Sequence, residues 1–193
     1  MKGKLNFLQV LGLVLILASL TLLLGSIGYA RNASQECSRT VQQLEAILPP
    51  RTAGIPGSFS DPVMPVLQLE GTDYCAIVDF PGYGVTLPVR DVWANGSLGR
   101  GPRRYWGSAY DGTLVLGGSD QNGQFDFFDR MDIGNQLLIT DMLGEEFSFR
   151  VVRIDRAKSV DPDKLIREEY DLTLFASQSY SMEYILIRCE AAQ

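Results

Sequence analysis

The sequence predicts an all-β domain, a closed or nearly closed barrel with short helices, preceded by an N-terminal transmembrane helix. Three observations lead there. The chain opens on a long uncharged apolar stretch; from Leu67 onward short apolar runs alternate with Gly, Pro, Asn and Asp turn signals; and residues 67–193 suffice for one domain of that texture.

In chain order, Leu5 to Ala30 holds 26 residues without a charge. As a helix rising ~1.5 Å per residue it would span roughly 39 Å, enough for a hydrocarbon core of about 30 Å with some tilt. Gly28-Tyr29-Ala30 offers the small-x-small pattern of a cleaved secretory signal. The apolar region of such a signal is only about 7–15 residues long, so residues 1–30 read as a retained anchor. Lys2 and Lys4 before the span and Arg31 and Arg39 after it leave the positive-inside signal thin. A short tail ahead of a large remainder favours tail in and body out. The expected localisation is the cell membrane, single-pass, with an extracytoplasmic domain.

Residues 31–66 read as a stalk and linker. Val41, Leu44 and Ile47 give one helical stripe over Ser34–Ile47, stopped by Pro49 and Pro50. Arg51 to Pro65 is rich in Pro, Gly and Ser, the composition of a linker or an extended wrap. The Asn32 and Asn95 sequons would matter only in a glycosylating host and read as chance occurrences.

Residues 67–193 carry the β texture. Tyr74–Val78 and Val85–Val89 bracket Pro81, Gly82 and Gly84; Thr113–Leu116 follows Asp111-Gly112; Gln136–Thr140 follows Gly134-Asn135. Phe147, Phe149 and Val151 alternate with Ser148 and Arg150, the period of a half-buried strand. Leu172–Phe175 and Ile185–Ile187 complete six to eight strands. Phe125–Met131 and Asp163–Glu169 read as short helices.

Composition removes several function classes. Lys+Arg 17 against Asp+Glu 23 gives a net charge of -6, which argues against a nucleic-acid partner. There is no histidine. That excludes a Ser-His-Asp or Cys-His pair and a His-bearing zinc site. Cys37, Cys75 and Cys189 are too few and too scattered for a disulfide scaffold or a metal knuckle. Asp120, Asp126, Asp129 and Asp132 lack EF-hand spacing and read as a solvated face. No cofactor or metal is expected.

Three blocks carry a resemblance. The first is Leu87-Pro88-Val89 with Arg104-Tyr105-Trp106-Gly107-Ser108. The second is Leu114 to Asp120, followed by Phe125–Met131, Gly134-Asn135-Gln136 and Thr140–Gly144. The third is Asp171 to Ser177, running on to Ile185–Cys189. In this order the blocks resemble the sortase family of Gram-positive cell surfaces, in a class B/D-like form. The resemblance covers about Leu67 to Glu190 and implies an eight-stranded β-barrel behind a membrane anchor. It also implies a reaction. In the family a Cys thiolate attacks the Thr–Gly carbonyl of a sorting signal, a His protonates the leaving amine, and an Arg supports the oxyanion.

This sequence departs from the pattern at all three catalytic positions: Ser119 stands for the His, Ser177 for the Cys and Tyr184 for the Arg, with Ala176 for the Thr before the nucleophile. A serine hydroxyl is not ionised at neutral pH and needs an adjacent base, and Ser119 cannot serve as one. Losing an oxyanion donor typically costs ~10²–10³ in rate, and losing acid–base catalysis a further ~10²–10⁴. Tyr184 lacks the charge and the fork of a guanidinium. The expectation is therefore a catalytically inactive, sortase-like binding or assembly protein. Its partners would be a sorting-signal-like peptide, a surface protein or an active sortase. The alternative is a transpeptidase or hydrolase of altered mechanism that uses Ser177 with Asp120 or another carboxylate. Glu183 is a weaker base, because it alternates with Tyr184 along the strand.

Other residues receive plainer expectations. Cys75 and Cys189 read as buried thiols, a bridge between them being left open. Tyr105, Trp106, Phe127 and Phe128 read as core before groove. Gly99 to Arg104 is a basic run in an acidic domain, read as a solvated loop or a surface contact.

Overall fold

The computed structural model describes residues 7–56, 58–91, 101–121, 124–167 and 170–192, with the side chains of 7–9, 26–31 and 167 excepted. Lys2, Lys4, Asn95, Gly99, Arg100 and Glu169, all singled out above, lie outside the described residues.

Helix α1 (Phe7–Glu45) is unbroken for 39 residues. The expected stalk is thus its upper part and not a separate element. Lone Gly25 and Gly28 only weaken a helix, whereas Pro49 and Pro50 end one. Ala33, Cys37, Val41 and Leu44 form a buried stripe, of which Cys37, Val41 and Leu44 pack against barrel residues. Below them the large side chains from Val10 to Leu24 are exposed. Among the described residues no helix is long and apolar enough to cross a membrane. The stretch 10–25, the apolar part with described side chains, covers roughly 24 Å against a core of about 30 Å.

After α1 the described residues of the segment 51–65 run along the barrel, anchored at Thr52–Ala53, Phe59 and Met64. Strand β1 (Thr52–Ala53) pairs with the long strand that starts at Glu145. Phe59 stacks on Tyr110 at 4.0 Å, and Met64 is fully buried. β2 (Leu67–Leu69) turns through Glu70 and Gly71, both at positive φ, into β3 (Thr72–Phe80). That two-residue turn suits the right-handed twist of a hairpin. A 3-10 turn (Pro81–Tyr83) and Gly84 lead to β4 (Val85–Arg90). Then come β5 (Arg103–Trp106), β6 (Leu114–Ser119), β7 (Gln136–Asp141) and β8 (Glu145–Ala157). Helix α2 (Pro162–Arg167), β9 (Leu172–Ser177) and β10 (Tyr184–Ala191) complete the chain.

Eight strands close on themselves. The order β3-β4-β5-β6-β9-β10-β8 is sealed by β7, which pairs with both β3 and β8. β1 and β2 lengthen the sheet outside this ring. Closure leaves no free edge among these eight strands. The interior is filled by Phe80, Phe125, Phe127, Phe128, Phe147 and Phe149 with aliphatic neighbours. Phe127 and Phe128 are therefore core, as expected, but Phe125–Met131 is not a helix. It is a chain of turns holding one 3-10 turn (Phe128–Arg130). The reason is Gly118: a methyl there would lie 2.5 Å from the Phe125 ring, which stacks on Phe128 at 4.1 Å. Three phenylalanines enter the barrel over four residues, a spacing that a helix face cannot supply.

Candidate functional site

β6 and β9 run parallel, so their C-terminal ends lie side by side, with Ser119 opposite Ser177. β10 returns antiparallel to β9 with Tyr184 opposite the same Ser177. Neighbouring strands are about 5 Å apart, so the three residues occupy one rung. Parity sets the face. Leu114 and Leu116, Leu172, Leu174 and Ala176, and Ile185 and Ile187 point into the main core. Ser119, Ser177 and Tyr184 alternate with these and face outward together. Ser119 is buried; Ser177 and Tyr184 are half-buried.

Around that rung a polar clasp joins the ends of β6 and β9. Both oxygens of Asp120 are engaged by Ser179: the Ser179 backbone N–H donates to Oδ2 at 2.8 Å and its hydroxyl to Oδ1 at 2.6 Å. Gln121 Nε2 donates to Ser179 Oγ at 2.6 Å, and the Asp120 N–H to the Ser177 carbonyl at 3.1 Å. Ser119 Oγ accepts from the Gln121 N–H at 3.1 Å. Among the described residues no carboxylate and no other base is hydrogen-bonded to Ser177 Oγ. The carboxylate nearest in sequence to a catalytic role is thus tied into the turn.

The outward strip below the rung is filled by the chain itself. Val115, Phe175 and Leu186 are buried beneath Leu165 of α2, with Tyr105, Ala157 and Val160 beside them. Tyr105 meets the Phe175 ring edge-on at 5.5 Å. Deeper still, Arg188 Nη1 donates to Thr173 Oγ1 at 2.9 Å, with its guanidinium 5.5 Å from the Tyr170 ring centre. Trp106 is exposed, and so are Tyr180 and Met182 on the turn between β9 and β10.

Cys75 and Cys189 are free and buried. Burial pushes Cys75 up to about 12 and pushes Cys189 well above its ordinary range. Among the described residues no group of three acidic, His or Cys side chains is placed to hold a metal ion.

Two polar features escaped the sequence. The clasp depends on Ser179, which lies 59 residues from Asp120 and carries no motif. Buried Asp141 accepts from Tyr110 OH and from the N–H groups of Leu143 and Glu145 at 2.8 Å, pinning the β7–β8 turn. Burial and this bond raise the Tyr110 phenol. The Asp-x-x-Gly turn pattern at 141–144 was the one available signal.

No family model and no curated protein matches the chain. Solved structures do. A lid mutant of sortase A from Corynebacterium diphtheriae is similar at TM-score 0.54 and 21% identity, over 62% of this chain and 70% of that one. Sortase C1 from Streptococcus suis gives 0.51 at 19%, over 62% and 73%. A Clostridium perfringens sortase D5 transpeptidase gives 0.50 at 15%, over 62% and 79%. The barrel has the sortase fold.

Proposed function

We propose that this protein is a membrane-anchored, extracytoplasmic relative of the sortases that binds an extended segment of a surface protein and does not perform the family's peptide transfer. The observation that carries this is the rung: Ser119, Ser177 and Tyr184 share one row and one face, with Asp120 committed to Ser179. A row of neutral hydroxyls can hydrogen-bond a peptide but supplies neither a proton carrier nor a positive clamp. Tyr180 and Met182, exposed beside it, add apolar contact for such a segment. The anchor is supported by the uncharged stretch Leu5–Ala30 and by the exposed apolar side chains from Val10 to Leu24. Because Cys37, seven residues past Ala30, already packs in the barrel's core cluster, that anchor would hold the domain close to the bilayer surface.

The test uses the full chain in detergent with a fluorescent sorting-signal peptide containing a Thr–Gly bond, with and without an amine acceptor. Saturable binding with intact peptide is the expected result. Cleavage, or an acyl adduct on Ser177 detected by mass spectrometry and lost in Ser177→Ala, would establish the altered-mechanism enzyme instead. Absence of binding would remove the peptide partner.

A further inference from the structure

Trp106 ends β5 and is 51% exposed. The pairing register shifts between Arg104 and Trp106, so β5 carries a bulge at Tyr105. A bulge re-aims side chains, and bulges are over-represented beside functional sites. Here Tyr105 meets Phe175 edge-on in the outward cluster, and the next residue, Trp106, is the cross-strand partner of Val115 in that same cluster. Residues directly opposite one another share a face, with Cβ atoms about 5 Å apart. Two consecutive aromatic residues thus stand on the outside of the barrel, and the indole flanks Val115.

Val115 also lines a cleft of about 250 Å³ between α2 and the start of β6. Leu165 adds to its apolar lining, and Tyr170 and Asp171 give it a polar side. Asp171 is only half engaged. Its Oδ2 accepts from the Ala191 N–H at 2.7 Å, whereas among the described residues nothing is hydrogen-bonded to Oδ1. Gly112, also in the lining, keeps that oxygen clear: it sits at φ +69°, and a methyl there would lie 2.9 Å from Asp171 Oδ1. The Tyr170 ring is steadied by the Arg188 guanidinium, 5.5 Å from its centre. The loop that carries Gly112 is braced as well, the Thr113 N–H donating to the Ser108 carbonyl at 3.0 Å and the Thr113 hydroxyl to Asp111 at 2.6 Å.

We infer that Trp106 and this cleft bind one six-membered ring of a neutral glycan chain. The cleft is smaller than the ~300–1,000 Å³ of sites that enclose a drug-sized ligand, so it takes a single ring of a longer molecule. A pyranose presents a face of C–H groups and a rim of hydroxyls. The C–H face suits the negative face of an indole, and the hydroxyls supply the donor that Asp171 Oδ1 lacks. The same oxygen selects against acidic sugars by like-charge repulsion. An apolar peptide side chain would cover Trp106 but leave Oδ1 unpaired. Val115 lies four residues, roughly 13 Å, along β6 from Ser119, so the site does not depend on the peptide-binding role proposed for the serine rung.

The test uses the full chain in lauryldimethylamine oxide micelles, whose headgroup is not a sugar. Trp93→Phe leaves Trp106 as the sole tryptophan reporter. Titration with the tetramer of N-acetylglucosamine, to about 10 mM, should shift its emission saturably. By calorimetric titration Trp106→Ala, at an exposed position that spares the fold, should bind the tetramer at least ~10-fold more weakly than the parent. Asp171→Asn keeps an acceptor for the Ala191 N–H; it should weaken the neutral tetramer and relieve the exclusion of a galacturonic acid tetramer. Emission that the glycan leaves unmoved, or equal affinity in Trp106→Ala and the parent, would overturn the site. A shift produced by the sorting-signal peptide and not by the glycan would overturn it as well, and would give the cleft to a peptide.

Discussion

Replacing Leu44 by alanine tests whether α1 is part of the folded domain or only tethers it. Leu44 is fully buried among Val41, Tyr74, Ile77 and Met142, the cluster that fastens the helix to the outer face of β3 and the β7–β8 turn. Truncating a leucine with no exposure costs the transfer of its lost methyl groups plus a cavity term, together about 2–5 kcal/mol. For a chain of this length each kcal/mol lowers the midpoint by roughly 2–4 °C, so the expected fall is between about 4 and 20 °C. Ile47, three residues on and 55% exposed, is the internal control, and Ile47→Ala should change stability by no more than about 0.5 kcal/mol. Thermal and urea unfolding of the full chain in detergent, followed by barrel tryptophan fluorescence, measures both. A single transition lowered only in Leu44→Ala supports one cooperative unit. A change in Leu44→Ala no larger than in Ile47→Ala would refute the integration of helix and barrel. Loss of helicity with the barrel transition unmoved would refute it equally.

Gly118→Ala should destabilise by about 1–3 kcal/mol, because its methyl meets the Phe125 ring at 2.5 Å and Phe128 blocks retreat; Gly82→Ala, with open space around it, is the comparison in the same unfolding assay. The Cys75 thiol, ordinarily near 9.0 and raised by burial to about 12, binds its proton more tightly folded than unfolded. Its contribution is thus complete below pH ~9 and is lost through pH ~12 at up to about 1.4 kcal/mol per unit, so urea midpoints should fall over that window and hold steady from pH 7 to 8.5. Iodoacetamide at pH 8 should label Cys75 and Cys189 only in the unfolded chain. Ser119→His, Ser177→Cys and Tyr184→Arg combined should yield transfer of a sorting-signal peptide at least ~10²-fold above any single change, measured by mass spectrometry; parity between the triple and a single variant would show that the rung does not reproduce the family geometry.

The ring strands were legible because a strand with one face in the core alternates. Phe147, Phe149 and Val151 are buried while Ser148 and Arg150 are exposed, and sequence periodicity carries that directly. β5 was legible only through its motif. Arg103-Arg104-Tyr105-Trp106 shows no alternation, since its most buried member is a charged residue facing outward. The division of α1 was misread for a different reason. Polarity changes after Ala30, but polarity reports the surroundings of a helix and not the continuity of its backbone. Phe125–Met131 was misread because a short apolar-rich run between turn signals reads as a helix by composition, although its rings at 125, 127 and 128 share one cavity as only a chain of turns allows. The three-residue rung was found by matching blocks in order, and periodicity alone could not have assembled it. Asp120 and Ser179, distant in sequence and ordinary in type, gave no such handle.

The clasp bears on the proposed absence of peptide transfer, because it shows what the polar groups at the strand ends do in place of waiting for a substrate. A resting catalytic site holds donors and bases in readiness, incompletely satisfied, and that readiness costs stability. Here the polar groups at the ends of β6 and β9 bond to one another instead. Asp120 spends both oxygens on Ser179, Gln121 closes on the same hydroxyl, and Ser119 caps the turn that follows it. Freeing Asp120 to act as a base for Ser177 would break two hydrogen bonds to a carboxylate, each worth about 1.5–3 kcal/mol, before any proton moved. The strip beneath is closed likewise, with Val115, Phe175 and Leu186 sealed by Leu165. A surface whose own bonds are satisfied presents a fixed shape, and the binding role proposed above would draw on that preorganisation.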